Sequence, residues 1–137
     1  MQFYNRTKKL FANGEVDITN LKVMLTNGYS FNATQTDLTA ATAAQVSGNG
    51  WTAGGVTIAN AAVTVSTTND AKLDGDDISV TATGGDIGPA DGLVVVDATN
   101  NNPLLHYSFG SSQTAGDGTP FNVNWDANGI LTWQDPV

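Results

Sequence analysis

The chain of 137 residues has no cysteine, one histidine and only five basic residues. Without cysteine there is no thiol catalysis, no cysteine-ligated zinc and no disulfide staple. That fits assembly in a reducing compartment. With one histidine, any Ser-His-Asp arrangement must use His106. Charged residues are 13% of the chain, and 13 acids against five bases give a formal net charge of -8. Nonspecific nucleic-acid binding needs a lysine and arginine surface, so nucleic acid is not an expected partner. No apolar run approaches the roughly 18 residues of a membrane span. The start, MQFYNRTKKLF, lacks an apolar stretch behind its bases, so no secretion signal and no membrane association are expected.

Thr, Asn, Ser and Gly supply most of the polarity. They favour strands and turns over long helices, and 40% hydrophobic content argues against disorder. The length suits one domain with an ordinary core. Residues 2–12 read as a short helix with Phe3, Thr7, Leu10 and Phe11 on one face, ended by Asn13-Gly14. Residues 1–13 thus form an N-terminal helix or arm, and 20–137 the body. In LKVMLTNGYSF, Leu21, Val23 and Leu25 alternate with Lys22, Met24 and Thr26, and Asn27-Gly28 predicts a hairpin turn. Asp37 is placed to cap a helical turn holding Ala40, Ala41, Ala43 and Ala44.

The stretch GNGWTAGGVTIANAAVTV, residues 48–65, puts Trp51 among four glycines. A phosphate loop needs a helix after its glycines. Strand-like residues follow here, so Trp51 reads as the entry to a strand, covering a core edge or a subunit contact. The strand phase slips between Ile58 and Val63, which predicts a break near Asn60. DDISVTAT alternates cleanly, GLVVVDA is a buried-type run, and PLLHYSFG sets Leu105, Tyr107 and Phe109 opposite Leu104, His106 and Ser108. Phe121, Val123 and Trp125 alternate with Asn122, Asn124 and Asp126, and Asn128-Gly129 predicts a closing hairpin. The fold class is all-β: an antiparallel β-sandwich or small barrel of about seven short strands with one short N-terminal helix.

No catalytic motif stands out. His106 in a strand beside an aromatic is a structural histidine, and the aspartates sit in turn contexts. The acidic cluster NDAKLDGDD, residues 69–77, offers Asp74, Asp76 and Asp77 as oxygen ligands for calcium, but it lacks the EF-hand glutamate and helices. It reads as a solvated hairpin turn, with no metal and no cofactor. Trp51, Trp125 and Trp133 allow a sugar-stacking platform, although large aromatics are first of all core residues.

Three segments carry a resemblance. GNGWTAGGVTIANAAVTV resembles an aromatic-T-x-GG-x-T-L/I-A-N pattern in small structural proteins of tailed bacteriophages. LLHYSFGSSQTAGDGTPFNVNWDANGILTW is similar to the C-terminal part of that group, and FYNRTKKLFANGEVDITNLKVMLTNGYSF to its start. The chain departs at ATGGDIGPADGLVVVDATNNNP, which lacks the usual charged residues, and at Gln45, where a glutamate is usual. The resemblance implies a non-enzymatic virion component assembled in the bacterial cytoplasm. It implies a capsid decoration (cement) protein whose partner is the major capsid protein, with a homo-oligomer, a trimer by preference. The expected interface is Phe3, Tyr4, Arg6, Lys8, Lys9 and Trp51, and removing residues 1–12 should abolish binding while leaving the body folded. The alternative is a tail- or fibre-associated module that binds a receptor or carbohydrate.

Overall fold

Alternating apolar residues build most of this chain into strands, and the computed structural model describes residues 1–65 and 70–134. In chain order these are β1 (Gln2–Phe3), α1 (Thr7–Ala12), a 3-10 turn (Ile18–Asn20), β2 (Leu21–Thr26), α2 (Thr39–Ala44), β3 (Gln45–Val46) and β4 (Val56–Thr57). There follow β5 (Ala62–Val65), β6 (Ala71–Asp74), β7 (Ile78–Thr81), β8 (Ile87–Asp97), β9 (Asn102–Ala115), β10 (Pro120–Val123) and β11 (Leu131–Trp133). The all-β, sandwich-like class holds. The strands number eleven among the described residues rather than about seven, and there are two short α-helices rather than one.

The central sheet has the order β1-β9-β8-β2-β3, with β4 also on β2. Its pairs are antiparallel, with Val23 opposite Val95 and Leu25 opposite Leu93. Two smaller sheets, β10-β7 and β11-β6-β5, supply the other layer. Leu21, Val23, Leu25, Leu93, Val95 and Leu105 share one buried cluster with Trp51, Leu73, Ile78, Phe121, Val123 and Ile130 from that layer. Burying such side chains contributes about 1.5–3 kcal/mol each.

The second face of the central sheet is covered as well. Met24, Val94 and Val96 pack with Tyr4 and Ala41, under Tyr29, Phe31 and Leu38. This is why GLVVVDA reads as a continuous apolar run, and why β2 is buried on both faces. The helical turn expected near Asp37 is α2, and Asp37 Oδ1 accepts from the Thr39 amide at 2.9 Å.

The opening glycines act as backbone hinges. A Cβ on Gly55, at φ +105°, would lie 2.7 Å from the Val23 carbonyl oxygen. Only glycine lets this turn lie against β2. The phase slip falls where expected: Asn60 adopts φ +53° between β4 and β5.

Three expected hairpins are corrected. Asn27-Gly28 turns the chain, but β2 pairs with β8, β3 and β4. Asn128-Gly129 turns between β10 and β11, which pair with β7 and β6 respectively. The acidic turn joins β6 to β7, which lie in different sheets; Asn69 of that segment is outside the described residues. Each turn hands the chain to another sheet or to a covering segment. Among the described residues, β5 pairs with β6 and β8 with β9, each with the next strand in the chain.

Candidate docking surface

The N-terminal segment is two elements, not one helix over 2–12. Gln2 and Phe3 pair with His106 and Leu105 as strand β1. The backbone joins the sheet there because an open edge of β9 offers it ladder hydrogen bonds. The helix begins at Thr7. Thr7 Oγ1 donates to the Leu104 carbonyl at 2.6 Å, Leu10 enters the core, and Phe11 meets Trp133 edge-on at 5.1 Å. Gly14, at φ +68°, ends it. The segment is therefore built into the sandwich and is not a free arm.

With Thr7, Leu10 and Phe11 turned inward, Lys8 and Lys9 face solvent. Arg6 is half-buried and donates from Nη1 to the Thr36 carbonyl at 3.2 Å. Lys8 Nζ sits 5.7 Å from the Phe3 ring centroid, within cation–π range. Lys9 lies in the last turn of α1, where a cation complements the helix carbonyls. Phe3 and Lys8 thus meet at the surface, with Lys9 exposed on the same helix and Arg6 just before it.

The other two expected interface residues lie inside. Tyr4 is 1% exposed, and its hydroxyl bonds Tyr29 at 2.6 Å, which in turn donates to Gln35 Oε1. Burial, reinforced by the Tyr29 hydrogen bond, pushes its phenol well above the usual range. Trp51 is also 1% exposed and packs edge-on against Phe121 at 5.6 Å. Its indole N–H has no partner. The single sequence could not separate a buried aromatic from a presented one, since both are large and apolar.

His106 is buried on the second face of the central sheet. It stacks on Phe31 at 5.5 Å and shares a 3.0 Å hydrogen bond from Nδ1 with Gln2 Oε1. Burial, then the nearby N-terminal amine, hold its pKa below the usual value; Asp91 acts in the opposite sense. Its hydrogen-bonded partner is an amide, which neither takes nor gives a proton.

The carboxylates of the acidic turn are spent on bonds within the fold. Asp74 pairs with Lys72 at 3.1 Å, Asp76 Oδ2 accepts from Asn60 at 2.7 Å, and Asp77 Oδ1 accepts from the Trp125 amide at 2.8 Å. Among the described residues, no three His, Cys, Asp or Glu are grouped to hold a metal ion. Nor is any helix long and apolar enough to cross a membrane.

A second carboxylate device went unread in the sequence. Asp97 is fully buried and accepts from the amides of Asp17, Thr99 and Asn100 and from the Asn100 side chain. It ties the β8–β9 turn to the loop after α1. The Asn-rich run at 100–102 was the available signal, since Asn101 takes the positive φ of that turn.

Comparison with protein-family models, with curated proteins and with solved structures finds no match to this chain.

Proposed function

We propose that this chain is a non-enzymatic structural protein of a tailed-phage virion, a capsid decoration protein that binds the outside of the shell. The observation that carries the reading is charge placement on the fold. Arg6, Lys8 and Lys9 gather on and beside α1, whereas ten of the 13 acids lie from Asp70 onward with Lys72 as the one base among them. A cationic end on an acidic body favours one orientation toward an acidic partner surface. The resemblance of the three segments supports the major capsid protein as that partner. It also suggests a homo-oligomer, with a trimer preferred.

Decoration needs no active site, and a buried His106 bonded to an amide suits that role. A stable complex needs about 1,600 Å² of total buried surface, so the four residues around α1 act as part of a larger contact. Many copies on a lattice raise the effective affinity further.

The test is the copy number of the protein in purified virions, measured against the major capsid protein on a quantitative gel. Stoichiometry comparable to the capsid protein is expected. Trace amounts would replace the reading with a tail or fibre part, and absence from the particle would end it.

A further inference from the structure

Strands β9 and β10 are joined by four residues, 116–119, yet they do not pair. β9 stays with β8, and β10 with β7. The connection is pinned by Gly118 donating to the Ala82 carbonyl and Ala82 donating to the Thr119 carbonyl, both at 2.8 Å. The two strands are thereby held apart. Beside them lie two adjoining hollows of about 390 and 380 Å³, both lined by Phe109 and Asn122, which together make up the β9/β10 groove. Each is within the size range of small-molecule sites.

The lining combines rings with uncharged polar groups. Tyr107, Phe109 and Trp125 are half-buried along it. Two of these rings are clamped. Trp125 Nε1 donates to the Asp76 carbonyl at 3.1 Å and its amide to Asp77, while Tyr107 donates to the Ile130 carbonyl at 2.6 Å. A fixed ring loses little entropy when a ligand lies on it. Asn122 and Asn124 stand exposed, one in β10 and one just past its end. Neither side-chain amide is hydrogen-bonded among the described residues. Asp126 borders one end, and no lysine, arginine or histidine lines either hollow.

This set discriminates among ligands. An anionic ligand finds no base and meets Asp126. A wholly apolar one would strip water from the amides without replacing their hydrogen bonds. A neutral sugar chain offers apolar C–H faces to the rings and hydroxyls to the amides. We propose that the β9/β10 groove binds a neutral oligosaccharide, with Tyr107 and Trp125 as platforms and Asn122 and Asn124 bonding its hydroxyls. The site shares no lining residue with α1 and does not depend on shell binding.

The full chain should be screened on a printed array of neutral glucan, galactan and N-acetylhexosamine oligomers, and the strongest binder titrated by calorimetry. Saturable binding is expected. The double variant Asn122→Ala/Asn124→Ala changes only exposed, unbonded side chains, so its melting curve should match that of the unaltered protein. Its affinity should fall by at least about tenfold, the effect of losing one to two hydrogen bonds. A blank array overturns the proposal. So does capture of acidic glycans alone, or equal binding by the double variant. None of these outcomes bears on the virion copy number, so the two readings fail separately.

Discussion

Trp51 is the largest fully buried side chain, and its N–H meets no acceptor. A buried donor without a partner costs about 1–3 kcal/mol, so shape and apolar area, not polarity, hold this indole in place. That separates two substitutions. Trp51→Ala should lower the unfolding free energy by about 3–5 kcal/mol through loss of contact and a residual cavity. Trp51→Phe should lose well under half as much, because deleting the orphan donor offsets part of the lost area. Urea denaturation midpoints of the two variants check the contrast, and equal losses would refute it. The same position shows what the residues alone conveyed. Strand-like residues after Gly54-Gly55 ruled out a phosphate loop. Whether the indole lay in a core edge or a contact was settled by Phe121, 70 positions away in the chain.

Among the elements, α1 combines two functions that a single deletion would confuse. Tyr4, Thr7 and Leu10 are buried, and β1 completes an edge of β9. Removing residues 1–12 is therefore expected to abolish the cooperative unfolding transition, rather than leave a folded body. Reversing the exposed Lys8 and Lys9 to Glu keeps the buried face, so circular dichroism should hold and the melting midpoint fall only modestly while co-sedimentation with undecorated capsids is lost. Retained co-sedimentation would remove α1 from the docking surface. The charge run that marks this surface was legible because bases are scarce in the chain. Strand positions were legible too, from alternation at Ile78, Val80 and Ala82 and at Phe121 and Val123. Pairing was not. A turn signal such as Asn128-Gly129 states where the backbone reverses, but the partner is chosen by burial: Phe121 and Val123 enter the core only with β10 beside β7. The groove was half legible. Alternation set Asn122, Asn124 and Asp126 apart from Phe121, Val123 and Trp125, and only the end of β10 at Val123 lets Trp125 line the same hollow as the two asparagines.

For the whole molecule, acid should act in two steps. His106 is buried, and its pKa in the folded state lies below the ordinary 6.5. The unfolded chain thus takes a proton that the folded chain resists. The contribution is fully present above about pH 6.5 and is lost as pH falls from there toward the lowered value. Asp17 and Asp37 lie below 3.8, held by hydrogen bonds from Thr19 and Thr99 and from Thr39 respectively. Their contribution is present above 3.8 and disappears as pH falls through their lowered values. Urea midpoints should decline as pH falls below about 6.5, and His106→Gln should flatten that decline while leaving the more acidic step. A flat profile in the unaltered protein would dismiss the buried, neutral histidine. The pairing of Gln2 with His106 and Phe3 with Leu105 also bears on how the molecule is made. Strand β1 has its partner more than 100 positions later, and β2 meets β8 only about 70 positions on. Little of the central sheet can form while the chain is still emerging. Folding is therefore a late event, governed by slow closure of distant segments, and the nascent protein passes through synthesis with its apolar strands uncovered.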